Sequence, residues 1–396
     1  MSDSTNDRAK DPLPKDRAKV VIIGGGIMGL GLAYNLAARG LTDVMVLEQG
    51  YLCYGASGRN GGGIRAQWSS ADNIQIMKRS VEICKSFARK MGINIWFRQG
   101  GYLFLAPDEE ILAGLEKNVA LQREHGLDSR LINPRQARAV VPQLNTAGIA
   151  GGAYNPQDGI VFPWPFTWGY AHAAREMGVQ VYPHTRVTDL DVEDGRIRRV
   201  RTDRGDVVPE MVVNATGAWS PVLAGMAGIE LPNRPHRHEI LVTEALKPWL
   251  SPMVSLLGHG LYFSQSMRGE IVGGISDPDE PESLSLESTT RFATRFARTA
   301  VEVCPSLSNV KVIRQWAGPY DVSPDGHPIV GEVAEVRDFI QLVAFTGHGF
   351  MMAPAVTELC AEWLVNGRKD PFFERYTLDR FRDGKTGFKA ESMIIG

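Results

Sequence analysis

The sequence predicts an α/β fold in which a domain with a parallel β-sheet is interleaved with a second, α+β domain built on a mixed/antiparallel sheet. Three observations support this prediction. Residues 19–50 read as strand, glycine turn, helix and strand, a pattern typical of two parallel strands joined by a helix. Residues 85–150 and 229–313 contain helix and strand patterns without such a turn. In the latter stretch, a hairpin around Arg268-Gly269 indicates antiparallel strands.

The segment 19–50 has the pattern of a Rossmann-type dinucleotide-binding unit. An apolar run leads into the letters GGGIMG, which begin at Gly24, and a second apolar run follows a helical pattern. Gly24 permits the tight turn, Gly26 lets the backbone approach a pyrophosphate, and Gly29 lets the helix pack close to the strand. The free N–H groups at the start of the helix favour phosphate groups.

An acidic residue follows the second strand of this unit. Glu48 lies where a carboxylate accepts hydrogen bonds from the ribose of an adenosine. An acid at this position also argues against a 2′-phosphate, so NADP is disfavoured. The dinucleotide-binding residues predicted in the unit are Gly24, Gly26, Ile27, Met28, Gly29, Glu48 and Gln49.

A glycine-rich loop follows shortly after Glu48. Five glycines occur between Gly55 and Gly63, which indicates close approach of the backbone to a neighbour. The loop also carries hydrogen-bond donors suited to phosphate, so we predict a cofactor loop rather than a flexible surface loop. The residues assigned to the cofactor are Ser57, Gly58, Arg59, Asn60, Gly62 and Gly63. Arg65, which follows the loop, is either a ligand contact or an ion-pair partner.

Composition and charge disfavour several other classes of protein. The chain has 396 residues and a net charge of −2 without a basic block, which argues against nucleic acid as a partner. No apolar run approaches the roughly 18–20 residues of a membrane span. The four cysteines are far apart and form no CxxC pair, so we expect a reducing, cytoplasmic location. The spacing of the histidines and cysteines predicts no metal site.

The order of these patterns gives predicted domain boundaries. Residues 1–18 are polar, lack the apolar core of a secretory signal, and are predicted to be a disordered tail. Thr167 is predicted to be the N-cap of a helix over residues 168–176. The nucleotide-binding domain is predicted over residues 19–84, 151–228 and 314–396, and the second domain over residues 85–150 and 229–313.

Several motifs, taken in order, resemble those of a known family. GGGIMG with Glu48, ASGRNGGGIR, NATGAW, DGHPIVG and TGHGFMMAP occur in this order in FAD-dependent amine oxidoreductases of the D-amino acid oxidase and glycine oxidase superfamily. The segments YFSQS…GEIVGG and RQWAGPYDVSPD are most similar to the β subunit of heterotetrameric sarcosine oxidase and its relatives, the proline, hydroxyproline and opine dehydrogenases. The resemblance covers about residues 19–380.

The resemblance implies an FAD-binding domain and a substrate domain between which the chain crosses. It places FAD at the glycine turn and at the glycine-rich loop, and it adds contacts further along the chain. The turn before the last helix would direct a helix N-terminus at the flavin pyrimidine edge, where the reduced flavin carries negative charge. The additional residues implied to contact FAD are Val187, Ala215, Gly217, Trp219, Gly347, His348, Gly349, Phe350 and Met351.

Three departures from the family pattern change what the resemblance implies. Gly318 stands where a cysteine tethers the flavin in monomeric sarcosine oxidase, so FAD should be non-covalent. Pro163 stands where a histidine carries covalent FMN in the heterotetrameric β subunit, so a covalent FMN on this chain is not expected. An FMN held between subunits stays open. Met351 replaces a lysine near the flavin. Because a cation there favours electron transfer to O₂, its loss is compatible with a dehydrogenase or a slower oxidase.

The residues predicted to meet the substrate are polar groups facing the flavin rather than a catalytic triad. By resemblance to glycine oxidase, Tyr262 matches a tyrosine and Tyr320 an arginine that bind the substrate carboxylate. Since tyrosine is a weaker partner for an anion, a cation such as Arg65 or Arg237 is expected to assist. His348, between two glycines, is predicted to bind substrate or to bias deprotonation of the amine.

We therefore expect an FAD enzyme, either an oxidase or a dehydrogenase, that oxidises a secondary or N-alkyl amino acid to an imine. The candidate substrates are sarcosine, proline, hydroxyproline and opines. Two alternatives stay open: a primary amino acid such as glycine or a D-amino acid as the substrate, and a flavin-bearing subunit that only relays electrons. By resemblance, a larger α subunit and a small ferredoxin-like subunit are candidate partners.

Overall fold

The computed structural model describes residues 11–382 and 390–394, which form eighteen strands and nine α-helices. The strands are β1 (Arg17–Ile23), β2 (Val44–Leu47), β3 (Gly63–Ile64), β4 (Tyr102–Ala106), β5 (Arg130–Ile132), β6 (Gly151–Asn155), β7 (Gly159–Ile160), β8 (Gln180–Tyr182), β9 (Val187–Glu193), β10 (Arg196–Thr202), β11 (Gly205–Asn214), β12 (Arg234–Ala245), β13 (Met253–Leu256), β14 (Leu261–Gln265), β15 (Glu270–Gly274), β16 (Val312–Val322), β17 (Ile329–Val333) and β18 (Val336–Val343). The helices are α1 (Ile27–Ala37), α2 (Ala71–Met91), α3 (Glu109–Glu124), α4 (Pro134–Val140), α5 (Pro163–Glu176), α6 (Ser220–Met226), α7 (Thr290–Val303), α8 (Gly349–Asn366) and α9 (Phe372–Arg375). None of these helices is long and apolar enough to cross a membrane.

The first domain begins before residue 19, the start that the sequence predicts. Leu13 packs against an apolar cluster on the first sheet, Lys15 pairs with Asp43, and β1 already begins at Arg17. The prediction of a disordered tail is therefore wrong for residues 11–18, because apolar, ionic and backbone contacts hold them. The remainder of the predicted tail, residues 1–10, lies outside the described residues.

The first sheet has a parallel core covered on both faces. β18, β11, β1, β2 and β8 pair in parallel in that order, and α1 joins β1 to β2. Val20 and Ile22 belong to the apolar cluster that contains residues of α1 and α8, whereas Val21 and Ile23 belong to the cluster on the opposite face. Burial on both faces is typical of parallel sheets. The predicted α/β fold is confirmed.

The second sheet is almost entirely antiparallel. Its strand order is β16-β12-β15-β14-β13-β4-β6-β5, and β13 with β4 is its one parallel pair among the described strands. One apolar cluster of this sheet takes in Phe292 and Phe296 of α7, and another takes in Leu115 and Val119 of α3. The mixed/antiparallel sheet predicted for the second part of the fold is confirmed.

Two predicted domain boundaries do not coincide with the change from one sheet to the other. β6 lies within the predicted range 151–228 of the first domain, yet it pairs with β4 and β5 of the second sheet. β16 overlaps the predicted range 314–396, yet it pairs along its length with β12. In both segments the backbone N–H and C=O groups find their partners in the second sheet, which decides where the strands lie.

The helix predicted over residues 168–176 begins five residues earlier. α5 starts at Pro163, and Thr167 lies inside it, donating its hydroxyl to the carbonyl of Pro163 at 3.1 Å. Thr167 is therefore not an N-cap. Because the first N–H groups of a helix have no partner within it, Pro163 and Pro165 are tolerated in the first turn.

Candidate functional site

An open cavity lies at the carboxyl ends of the parallel strands. It is bounded on one side by Ile23 and Leu47, the last residues of β1 and β2, and on the other by His238, Tyr262 and Tyr320 of the second sheet. Ligands of parallel α/β sheets bind at this edge. The predicted cofactor residues that line the cavity are Gly24, Gly26, Ile27, Met28, Glu48, Gln49, Ser57, Arg59, Asn60, Val187, Ala215, Gly217, Trp219, Gly347, Gly349 and Phe350.

Other predicted residues pack behind the cavity wall. A side chain at Gly58 would meet Trp164, and one at Gly63 would meet Tyr102. Met351 is buried in the apolar cluster beneath α8, because it lies one helical step beyond Phe350. The predicted site residues that do not line the cavity are Gly29, Gly58, Gly62, Gly63, Arg65, His348 and Met351.

The glycine turn brings the start of α1 to the cavity. Gly24 has φ +115°, and a Cβ there would meet the carbonyl of Ala215. A Cβ on Gly29 would meet the carbonyl of Gly24, so only glycine lets the helix pack this close to the turn. Gly26, the N-cap residue of α1, has no side chain to cap the helix, and the amide of Ile27 donates to the hydroxyl of Ser57 at 3.0 Å. The other N–H groups of the first turn suit a phosphate.

Glu48 braces the turn as well as lining the cavity. Its two carboxylate oxygens accept hydrogen bonds from the backbone N–H groups of Gly25 and Gly50, each at 2.8 Å. Burial raises the pKa of Glu48, and the two backbone bonds oppose that rise. The carboxylate thus holds the backbone on both sides of β2, and the same residue lines the cavity where the ribose contact is predicted.

The glycine-rich loop is tied to the second sheet by Arg59. Its guanidinium donates to the carbonyl of Tyr54 at 2.9 Å and to the carbonyl of Ala317 at 3.3 Å. Next to Ala317, Gly318 lines the cavity, and a Cβ there would lie 3.0 Å from the Cβ of Arg59. Residue 318 thus offers no side chain that could tether a flavin, and the non-covalent mode of FAD binding stays a prediction.

The start of α8 forms another wall of the cavity. His348 is the N-cap residue, no side chain caps the helix, and Gly347, Gly349 and Phe350 line the cavity. The positive end of the helix dipole therefore lies at this wall, as the family resemblance implies.

The turn before α8 is held by a buried carboxylate. Asp321 accepts a hydrogen bond from the backbone N–H of Ala344 at 2.7 Å. Ala344 and Thr346 have φ values of 62° and 48°, in the left-handed region that is costly for residues with a side chain. Burial raises the pKa of Asp321 to about 6, and hydrogen bonds from backbone N–H groups of the turn oppose the rise.

A stack of three rings closes the side of the cavity formed by the second sheet. His238 lies between Tyr262 and Tyr320, with ring centroids 5.6 Å and 4.7 Å away. Its Nε2 shares a hydrogen bond of 3.1 Å with the hydroxyl of Tyr262. Burial lowers the pKa of His238 to about 3 and raises the pKa of both tyrosines, so all three groups are neutral near pH 7. The structure thus brings together the two predicted tyrosines.

His348 has a different position from the one predicted. Its Nδ1 lies 2.7 Å from the carbonyl of Thr346, an acceptor, so Nδ1 carries the proton. Nε2 then accepts from the guanidinium of Arg65 at 3.2 Å. Burial lowers the pKa of His348 to about 3. Because both ring nitrogens are occupied and the ring is outside the cavity lining, the geometry supports a structural partner of Arg65 rather than a base for the amine.

His238 is a residue of the site that was not predicted. It lies on β12, where alternate residues face the same side of the sheet, and Tyr262 lies two strands away. Between them is Gly274, where a Cβ would lie 2.7 Å from His238 Nε2 and 2.8 Å from the hydroxyl of Tyr262. The signal available in the sequence was the pair Gly273-Gly274 within a strand, which marks close approach of neighbouring groups.

The residues around the cavity fit a flavin dinucleotide. The N-termini of α1 and α8 reach its wall, Glu48 lies at the predicted ribose position, and Gly24 and Gly318 line the cavity without a side chain. The fold and this donor set define a class of protein, the dinucleotide-binding flavoproteins of the interleaved two-sheet type.

The chain belongs to the DAO family of FAD dependent oxidoreductases, whose model matches residues 19–363. It is 31% identical to the sarcosine oxidase subunit beta of Rhodobacter capsulatus over 97% of this chain and 93% of that protein. Among solved structures, it is similar to L-proline dehydrogenase from P. horikoshii, with a TM-score of 0.89 and 35% identity over 94% of this chain and all of that one. It is also 29% identical to the mitochondrial dimethylglycine dehydrogenase of Rattus norvegicus, of which it covers 45%. The predicted family and FAD cofactor are confirmed.

Proposed function

We propose that this protein oxidises a secondary or N-alkyl amino acid, such as sarcosine, proline, hydroxyproline or an opine, to an imine. The observation that carries the proposal is Arg65, a fully buried guanidinium with no carboxylate within 4.0 Å among the residues that the structure describes. Burying an unpaired charge is costly, so such a cation is suited to an anionic ligand. The names of the three relatives, which act on N-substituted amino acids, support this substrate class.

The side chains of the second sheet that line the cavity define how such a substrate would be held. Tyr320 holds the carboxylate from the cavity wall, and Arg65, buried behind that wall beside His348, completes the carboxylate site when the substrate is bound. Tyr262 orients the amine end from the opposite side of the ring stack. Because burial raises the pKa of Tyr262 and Tyr320, their hydroxyls stay protonated and act as donors. His238 stays neutral, so it adds no positive charge beside the amine. FAD, when bound, accepts a hydride equivalent from the carbon next to the neutral amine.

The electron acceptor is proposed to be something other than O₂. By the family resemblance, Met351 takes the place of a lysine near the flavin of the sarcosine oxidases, and in the structure it is buried in the core beneath α8. The ring stack of Tyr262, His238 and Tyr320 is neutral, and the charge of Arg65 is proposed to face the substrate carboxylate. Without a free cation at the flavin, negative charge developing on O₂ gains little stabilisation.

Anaerobic reduction of the bound flavin tests the proposed function. The holoprotein is mixed with sarcosine, dimethylglycine, L-proline, hydroxyproline and an opine, and with glycine and D-alanine as primary amines, while the visible flavin band is recorded. We expect bleaching by at least one secondary or tertiary amine and none by the primary amines. Bleaching by primary amines alone would contradict the proposed substrate class and favour a primary amino acid. Bleaching by no amine would favour the alternative of a subunit that only relays electrons.

The same reactions, repeated with air and with an artificial electron acceptor, identify the oxidant. We expect turnover to be much faster with the artificial acceptor. Equal turnover in air would contradict the proposed dehydrogenase.

We further propose that the chain works in the cytoplasm as part of a hetero-oligomer, as the word subunit in the name of one relative suggests. Support comes from exposed aromatic rings around the start of α5: Trp168 is 49% exposed, and Trp96 and Phe162, 39% and 37% exposed, stack on each other. Exposed apolar patches of this kind mark protein contacts. Protein purified from its own source should have a native mass that is not a multiple of 43.5 kDa. A native mass that is a multiple of 43.5 kDa would contradict this part of the proposal.

A further inference from the structure

Arg65 is surrounded by neutral acceptors. Its guanidinium donates to the carbonyls of Gln67 and Met393 and to Nε2 of His348, and it lies 4.1 Å above the ring of Trp68. Its Nε has no hydrogen-bond partner within the described parts of the chain. Three of these groups come from segments near the cavity, but Met393 comes from the far end of the sequence. The direction of the guanidinium therefore depends on a residue 328 positions away.

Residues Glu391–Met393, here called the C-terminal strap, are fixed to the start of α2. The carboxylate of Glu391 accepts from the N–H of Ser69 at 3.1 Å, from the Ser69 hydroxyl, and from the amide of Asn73 at 2.9 Å. It also accepts from the N–H of Met393 at 3.0 Å, and the N–H of Ser392 donates to Ser69 Oγ at 3.1 Å. Glu391 is 5% exposed and Met393 1% exposed. Four donors on one buried carboxylate set the strap in a single position.

The strap also reaches the wall of the cavity. The side chain of Met393 belongs to the buried apolar cluster that contains Tyr102 and Tyr262, and Tyr262 lines the cavity. Met393 is thus linked to the site in two ways, through the hydrogen bond of its carbonyl with Arg65 and through the apolar cluster that it shares with Tyr262.

We infer that the C-terminal strap is part of the substrate-binding site: the carbonyl of Met393 is a positioning group for Arg65, and Glu391 holds that carbonyl in place. This inference rests on the proposed function, in which Arg65 binds the substrate carboxylate. A guanidinium held by fixed acceptors loses little conformational freedom on binding an anion, so its affinity for the carboxylate is higher.

The perturbation that tests this is Glu391→Ala, which removes the acceptor for all four donors. We expect the dissociation constant of the reducing amino acid to rise about tenfold, as the loss of one well-placed charged hydrogen bond would do. The limiting rate of flavin reduction, from anaerobic stopped-flow, should change less than about threefold, because the ring stack and the flavin wall are untouched. Ser69→Ala, which removes one hydroxyl, should give a smaller change in the same direction. Glu374→Ala, at an exposed position of α9, is the matched control.

A binding measurement separates this inference from the proposed function. Pyrrole-2-carboxylate, which binds without reducing the flavin, and pyrrole, which lacks the carboxylate, are titrated against the holoprotein while the flavin spectrum is followed. We expect Glu391→Ala to weaken binding of the carboxylate about tenfold and to leave pyrrole unchanged.

Three results would overturn the inference. Unchanged binding of pyrrole-2-carboxylate would show that the strap does not position Arg65. Tighter binding would make the strap a competitor for Arg65, and equal weakening of both ligands would show a purely structural effect. If the wild-type flavin is bleached by no amine, the proposed function fails, whereas the carboxylate titration still decides whether the strap positions Arg65.

Discussion

Changing Glu48 to glutamine tests whether the carboxylate at the end of β2 maintains the FAD site. The change keeps the size of the side chain and removes its charge. In the protein, both carboxylate oxygens accept backbone N–H groups, from Gly25 in the glycine turn and from Gly50 after the strand, at 2.8 Å each. A glutamine amide has one acceptor oxygen, so its NH₂ group must face one of these two donors.

The size of the effect follows from these two bonds. A hydrogen bond to a charged group contributes about 1.5–3 kcal/mol, and the variant loses one such bond and sets two donors against each other. The turn that presents the N-terminus of α1 is thereby distorted, and the acceptor predicted for the ribose is weakened. We expect the dissociation constant of FAD to rise about 10- to 150-fold.

Fluorescence titration of the apoprotein with FAD measures this constant, because flavin fluorescence changes on binding. Glu193→Gln, the same substitution on an exposed residue of β9, is the control and should leave affinity unchanged. A dissociation constant for Glu48→Gln within about twofold of the wild type would refute the reasoning, because the lost bond would then contribute less than about 0.4 kcal/mol.

Three further predictions concern packing, pH and thiols. Gly29→Ala should lower the melting temperature and the FAD content, because the added Cβ would meet the carbonyl of Gly24. The control, Gly225→Ala in α6, should be neutral or stabilising, because a Cβ there meets nothing within 4 Å. Equal melting temperatures for the two variants would contradict this prediction. Asp321 has its folded-state pKa raised to about 6, so its contribution to stability is full below about pH 4 and is lost as pH rises through 6. Urea unfolding of the FAD-saturated protein at several pH values tests this. Between about pH 4 and pH 6 the free energy of unfolding of Asp321→Asn should rise by on the order of 3 kcal/mol relative to that of the wild type. A difference between the two proteins that does not depend on pH would contradict the prediction. Ellman's reagent should label the native thiols slowly and all four after unfolding, since all are buried; fast labelling of the native protein would contradict the burial of Cys53, Cys84, Cys304 and Cys360.

The parts of the fold that depend on local sequence were predictable. The βαβ unit follows from glycine spacing and apolar periodicity, because the positive φ of Gly24 and the packing of Gly29 on the carbonyl of Gly24 arise within six residues of chain. The cofactor side of the cavity could be predicted for the same reason, since Glu48 and Ser57 follow closely in sequence. The start of α5 was mispredicted because threonine is a common N-cap, whereas here proline residues in the preceding turn extend the helix.

The substrate side was less predictable because its contacts join distant segments. His238 reaches Tyr262 across two strands, and the ladder that sets this register is non-local. Arg65 was left open between a ligand contact and an ion-pair partner. In the structure it is not an ion-pair partner, because its partners among the described residues are carbonyl oxygens and a neutral histidine. No local pattern around Arg65 signals that Met393 would supply one of them.

The cofactor side of the cavity is formed mainly by backbone groups and the substrate side mainly by side chains, so the two sides differ in how freely their sequence can change. The cofactor side is built from backbone: glycine turns, helix N-termini and a carboxylate that bonds to backbone N–H groups, so few side chains can change there without loss of FAD. The substrate side is built from side chains on antiparallel strands and from the C-terminal strap, where ring size and charge can change while the backbone ladder persists. Residues that determine the substrate are therefore expected to differ among family members at positions such as His238, Tyr320 and Met393. Met393 is one of these positions because Arg65, which has no carboxylate partner among the described residues, is held by its carbonyl.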